Sequence, residues 1–149
     1  DYGKLVIVGE GELRKELIEY AKEINVNEKI LFLGEVAPEK VNNILNSAQL
    51  FVFPSIYEAM GLAVIEAMSQ GLPVIAYDIP AMHEMLIDSN GEIGGIIVNE
   101  NSGKAFADSI NHLITNDQER KKLSEVAIKR SKTFGIKSMA RAYVNHFEK

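Results

Sequence analysis

The 149-residue chain is 46% hydrophobic and 25% charged, with a net charge of −5, a composition that supports one ordinary core and excludes a disordered or low-complexity chain. Its lysines and arginines are dispersed, the densest cluster being Glu119-Arg120-Lys121-Lys122 with acids interleaved, so a nucleic-acid partner, which needs concentrated basic charge, is not expected. No apolar run approaches a membrane span and no signal-peptide pattern opens the chain, while the lack of cysteine removes disulfides, thiolate metal sites and cysteine nucleophiles.

The opening Asp1-Tyr2-Gly3-Lys4 has no initiator methionine and runs almost at once into an apolar stretch, which reads as a chain cut from something larger. Five short runs predict strands: Leu5 to Val8, Ile30 to Leu33, Leu50 to Phe53, Pro73 to Tyr77 and Gly95 to Val98. They are rich in β-branched and aromatic residues in succession, as expected for strands buried on both faces. Helical patterns lie between them. Leu13, Leu17, Ala21 and Ile24 mark one face, Val41, Ile44, Leu45 and Ala48 a second, and Leu62, Ile65, Glu66 and Ser69 a third. Beyond Val98 the pattern is helical throughout. Phe106, Ile110, Leu113 and Ile114 form one face, Leu123, Val126 and Ala127 the next, and Ile136, Met139, Ala140, Tyr143, Val144 and Phe147 the last, with Thr133-Phe134-Gly135 as a break. Strand and helix alternating in this way predict an α/β fold, a doubly wound parallel sheet of Rossmann type with extra carboxy-terminal helices.

Ligands of such sheets bind at the carboxyl ends of the strands. Three loops there carry candidate residues. Gly9-Glu10-Gly11 follows the first strand, but Arg14 stands where a dinucleotide fingerprint needs its third glycine, so a plain turn and a phosphate loop both remain open. The second loop, Tyr57-Glu58-Ala59-Met60, leads through Gly61 into a helix expected over Leu62 to Gln70. A helix amino-terminus offers unpaired N–H groups and a positive dipole end, so Met60, Gly61 and Leu62 are candidates to hold a diphosphate. Glu66 lies about 6 to 8 Å further along the axis, the reach from a phosphate to a sugar. A carboxylate accepts two hydrogen bonds and suits a vicinal diol, which makes Glu66 and Glu58 candidate sugar ligands on either side of the anion. The alternative is a solvated loop acid and an exposed helical acid. In the third loop, Asp78-Ile79-Pro80-Ala81-Met82-His83-Glu84, Ala81 to Leu86 reads as a short helix, and a lone histidine there is more often structural than catalytic. No metal site is expected, for want of a ligand pattern.

The stretch Pro54-Ser55, Glu58, Gly61-Leu62, Glu66-Ala67-Met68, Gly71-Leu72-Pro73-Val74 resembles the signature of retaining glycosyltransferases of the large family 4 group, which have the two-domain GT-B fold. The resemblance extends to Val6-Ile7-Val8-Gly9-Glu10-Gly11, Phe32-Leu33-Gly34, Ala48 to Ser55 and Gly94 to Val98. It implies that residues 1–149 are the carboxy-terminal, donor-binding domain of such an enzyme, without its first strand and without the amino-terminal acceptor domain. It further implies that Glu58 serves the transferred sugar as the catalytic residue and that Glu66 binds the ribose. The diphosphate falls to Met60, Gly61 and Leu62, the base lies along Gly34-Glu35-Val36, and Gly9 and Gly11 are near the donor. The substrate implied is a nucleotide diphosphate sugar, UDP- or GDP-linked, used without cofactor or bound metal. The acceptor, glycan, lipid-linked or other, is met through the absent domain. The location implied is cytoplasmic, with room for a peripheral association of the full-length protein at the inner membrane face.

The chain departs from the family pattern at Ala59-Met60, where Gly-Phe is usual, and at Pro80-Ala81, where paired glycines are common. Two other readings are compatible with the fold: an epimerase of nucleotide sugars, which calls for more acid and base candidates near the sugar, and a non-catalytic α/β binding module.

Overall fold

A computed structural model describes residues 3–99 and 102–147. The opening Asp1-Tyr2 lies outside the described residues, as does the side chain of Met139. The chain divides into two compact units, Asp1–Asn43 and Ile44–Lys149.

The first unit contains β1 (Leu5–Val8), α1 (Arg14–Glu23), a 3-10 turn at Asn27–Lys29 and β2 (Ile30–Gly34); α2 (Pro38–Ser47) begins in it. β1 and β2 are parallel, with Leu5 opposite Ile30 and Val8 opposite Gly34. Helix α1 stops where Asn25 adopts φ 59. The Val26 and Asn25 amides then donate to the carbonyls of Ala21 and Lys22, which absorbs the orphan acceptors of the last turn. The expectation of strands buried on both faces fails here, for Leu5, Val6 and Val8 stay 44%, 40% and 44% exposed. On the expected inner face of α1 only Ala21 is buried.

The second unit holds β3 (Phe51–Phe53), α3 (Leu62–Ser69), β4 (Val74–Tyr77), α4 (Pro80–Leu86), β5 (Gly95–Val98), α5 (Gly103–Thr115), α6 (Asp117–Ser131), a 3-10 turn at Lys132–Phe134 and α7 (Ile136–Phe147). Its strands form a parallel sheet in the order β3-β4-β5. The five strands thus fall into two sheets among the described residues. Central β4 is buried on both faces. Val74 and Ala76 join Val64, Met68, Met82, Met85, Leu86 and Ala127 in one cluster. Ile75 joins Val98, Phe106, Leu113 and Leu123 in the other.

Local chemistry fixes the helix ends. Gly71, at φ +78, follows the end of α3, and the amides of Leu72 and Gly71 turn back to the carbonyls of Ala67 and Met68, a reversal that glycine makes without steric penalty. Asn116 accepts from the Glu119 amide at the start of α6, where Asp117 and Glu119 also favour the helix dipole. A Cβ at Gly95 would collide with the Val74 carbonyl, so β5 approaches β4 only as glycine. The inner face of α3 differs from expectation: Val64, Ala67 and Met68 are buried, while Leu62 is 62% exposed. The helix is apolar nearly all round, and the sheet selects the side that packs. Among the described residues no helix is long and apolar enough to cross a membrane.

Candidate functional site

The loop between β3 and α3 is organised by its own polar groups. Ser55 Oγ donates to the Tyr57 carbonyl at 2.7 Å. Glu58 Oε1 accepts from the Ala59 amide at 3.0 Å and the Met60 amide at 3.2 Å, so one oxygen of this half-buried carboxylate holds the turn. The turn delivers the chain to Gly61, the cap of α3, which supplies no side-chain capping bond. The Val64 and Ile65 amides bond to the Gly61 carbonyl, and the Leu62 amide to that of Met60. No acidic residue occupies the first turn of α3, leaving its positive dipole end uncompensated by a side chain of the helix.

A Cβ at Gly61 would lie 3.2 Å from Val64 Cγ2 and 3.5 Å from both Met82 Cε and Met85 Sδ. Only the Val64 contact is tight; the two α4 methionines lie at ordinary van der Waals distance. Glu66 lies in the middle of α3 and is exposed, as are the side chains of Met60 and Leu62, at 59% and 62%.

At the carboxyl end of the same sheet, a cavity of about 180 Å³ is lined by Ile56, Tyr77, Asp78, Ile79, Val98 and Asn99. Asp78 Oδ1 lies 2.5 Å from His83 Nε2, and the Tyr77 ring packs against Phe106 with centroids 4.8 Å apart. His83 therefore has a carboxylate partner that sequence reasoning missed, because a separation of five residues across a strand end and the first turn of α4 has no periodic signature. Pro80 stands at the first position of α4, where its fixed φ suits the helix start.

In the first unit, the Gly9 amide donates to the Gly34 carbonyl at 2.7 Å, which brings two candidate glycines together. Both adopt left-handed φ values, +116 and +69. Gly9, Gly11 and their neighbours line a second and larger cavity, of about 440 Å³, between the end of β1, the start of α1 and Phe32. Glu10 and Arg14 face each other in its lining, with Arg14 Nε 3.4 Å from Glu10 Oε1. Their spacing of four was visible in the sequence, but the cavity arises from the pairing of β1 with β2 and was not. Among the described residues no cluster of three or more histidine, cysteine, aspartate or glutamate side chains is placed to hold a metal ion.

An amylovoran biosynthesis glycosyltransferase, AmsD of Erwinia amylovora, is 31% identical over 132 residues, 89% of this chain and 36% of its own length. An O-antigen chain mannosyltransferase, RfbU of Salmonella typhimurium, is 30% identical over 112 residues, 75% of this chain and 30% of its own. The chain thus spans about a third of the length of these curated relatives. Among solved structures, the sucrose-phosphate synthase of Thermosynechococcus elongatus superposes with a TM-score of 0.81 at 25% identity, over 98% of this chain and 39% of that one. TarM superposes with a TM-score of 0.79 at 26% identity, over 98% of this chain and 29% of its own. The parallel α/β architecture is that of the Rossmann-like half of a GT-B glycosyltransferase. Since residues 3–130 match the family described as glycosyl transferases group 1, and the matched span includes the glycine loop, the Glu58 turn and the start of α3, the chain belongs to that family.

Proposed function

We propose that this chain is the donor-binding domain of a retaining glycosyltransferase, which moves a sugar from a nucleotide diphosphate sugar to an acceptor. One observation carries the reading. Residues 54–66 fold as a strand end, a turn held by Glu58 and a helix amino-terminus without a side-chain cap, with a carboxylate on each side of that terminus. The Gly61 N–H at the α3 terminus receives the diphosphate, where the helix dipole favours negative charge, and the Leu62 N–H joins it on leaving the Met60 carbonyl, while the Met60 N–H stays on Glu58 Oε1 and borders the anion. Glu66, exposed one turn on, accepts the ribose hydroxyls. Glu58 keeps Oε1 on its own turn and offers Oε2 to the transferred sugar. In the first unit, Gly9, Gly11 and Gly34 serve donor binding by letting the backbone come close to the ligand.

On this reading the chemical work is positioning of the sugar and stabilisation of the departing diphosphate by fixed dipoles. No metal ion or cofactor is assigned to it. Solved neighbours support the ligand class: S. aureus TarM was solved with UDP and α-GlcNAc-glycerol, and Anabaena HepE with UDP-glucose. Acceptor choice is assigned to residues outside these 149, as is any contact with a membrane surface, and the isolated chain is expected to bind donor weakly and to have little or no transferase activity.

The test is calorimetric binding of nucleoside diphosphates to the protein and to Glu66→Ala. Removing a carboxylate that accepts two hydroxyl bonds should weaken the preferred nucleotide at least about 10-fold. The melting temperature should not move, because Glu66 is exposed. Unchanged affinity in the variant would contradict the ribose assignment.

A further inference from the structure

We propose that the cavity at the carboxyl end of the β3-β4-β5 sheet receives the transferred sugar, with Asp78 as a further specificity-determining residue and His83 as the residue that positions it. The proposal rests on the donor-binding reading above and deepens it. Every part of it lies in the second unit, Ile44–Lys149. Ile56 brings the β3-α3 loop to the cavity wall, Tyr77, Asp78 and Ile79 bring the end of β4, and Val98 and Asn99 the end of β5. Ile56 stands two residues before Glu58, a stretch of chain that spans at most about 7 Å. A Cβ at Gly61 would touch Met82 and Met85, so α4, the helix that carries His83, lies beside the α3 terminus.

The volume of about 180 Å³ is below the roughly 300–1,000 Å³ of sites that enclose drug-sized ligands, so the cavity takes a single ring and not a nucleotide. Its walls are held in place. The Asp78 amide donates to the Val98 carbonyl at 3.0 Å, and the Tyr77 ring packs on Phe106. Asp78 Oδ1 lies 2.5 Å from His83 Nε2; a carboxylate only accepts, so the histidine is the donor. Among the described residues Asp78 Oδ2 has no hydrogen-bond partner, and neither has the Asn99 side-chain amide. Two open polar groups therefore share a lining with the apolar surface of Ile56, Ile79 and Val98.

The ligand that matches is a neutral ring with hydroxyls on its edge and C–H groups on its faces. A phosphate would be repelled by the Asp78 carboxylate, which leaves the diphosphate at the α3 terminus and directs the uncharged sugar to the cavity. Asp78 Oδ2 accepts from its hydroxyls, and Asn99 can both donate and accept. Glu58 Oε2 and Asp78 Oδ2 then hold different hydroxyls of one ring. A sugar without the hydroxyl that Asp78 takes leaves the carboxylate unmet, and this is the source of discrimination.

Calorimetry with UDP-glucose, UDP-N-acetylglucosamine and GDP-mannose, each beside its bare diphosphate, tests the assignment. One conjugate should bind about 10-fold tighter than its own diphosphate, and Asp78→Ala should erase that gain while binding of UDP and GDP stays unchanged. His83→Ala should lose part of the gain, and His83→Gln, which can still donate to Asp78, should recover some of it. Melting temperatures should hold, because the Asp78–His83 pair is exposed at the surface. Conjugates that bind no tighter than their diphosphates, or an Asp78→Ala variant that weakens both alike or neither, would overturn the cavity assignment and leave diphosphate binding standing. A gain untouched in His83→Ala would remove His83 from it. Free glucose, N-acetylglucosamine or mannose binding through Asp78 to protein already saturated with its conjugate would give the cavity to a second sugar and overturn the donor assignment. Failure of every nucleoside diphosphate to bind would overturn the donor-binding reading beneath it.

Discussion

Strands β1 and β4 have the same kind of sequence, Leu5-Val6-Ile7-Val8 against Val74-Ile75-Ala76-Tyr77, and opposite surroundings. Val74, Ile75 and Ala76 are fully buried, whereas Leu5, Val6 and Val8 are 40% exposed or more. The difference lies in what surrounds the strand. β4 has a strand on each side and a hydrophobic cluster on each face, while β1 has β2 alone as a strand partner among the described residues. Apolar succession therefore reports that a strand forms; its burial depends on neighbours that the strand does not encode. The second unit holds both buried clusters, and the first holds the glycine loop and the larger of the two cavities described.

The largest effect that would break this comparison is a pair of identical truncations. Leu86 is fully buried and Leu17 is 45% exposed. Leu86→Ala should cost about 2–5 kcal/mol from lost transfer energy and the cavity left behind, and Leu17→Ala less than about 1 kcal/mol. Urea unfolding of both variants measures this, and equal losses would show that the first unit has a core of its own.

A smaller effect comes from the loop before β5. Asp88, with its side chain only 8% exposed, bonds to Lys129 Nζ at 2.9 Å and accepts from the Asn90 and Glu92 amides. The Lys129 bond, helped by those amides against desolvation, holds the Asp88 carboxyl below its ordinary 3.8. Asp88, with Glu92, raises Lys129 above its ordinary 10.5. A lowered carboxyl stabilises the fold above its unfolded pKa and loses that contribution as pH falls through the folded value. A raised lysine stabilises below its unfolded pKa and loses its contribution as pH rises through the folded value. Amide exchange at Asn90 and Glu92 should accordingly be slowest, after correction for intrinsic rates, between these limits, and Asp88→Asn should abolish the acid-side dependence. A profile unaltered by Asp88→Asn would remove the ion pair from the account.

How much of this was legible in the sequence varies by element. The strands Leu5–Val8 and Gly95–Val98 begin and end where their apolar runs do, because runs of β-branched residues bounded by turn residues leave few alternatives. The inner face of α3 was not legible: Leu62 and Ile65 are as apolar as Val64 and Met68, so periodicity could not choose between sides. The division of the strands into two sheets depends on long-range pairing, which local pattern does not contain. The spacing of Glu58 and Glu66 around Gly61 was plain, but the use of Glu58 Oε1 to hold its own turn was not, since any loop acid looks alike until the backbone is placed. The pairing of His83 with Asp78 and the cavity holding Glu10 and Arg14 arise only when loop, strand end and helix are brought together.

The most direct test of the central claim is a map of backbone amide shifts as the tightest-binding nucleoside diphosphate is titrated into the protein. The account predicts shifts concentrated at residues 59–66 and 9–14, where the α3 terminus and the glycine loop lie. Shifts confined to α5, α6 or α7, with both of those segments silent, would contradict it.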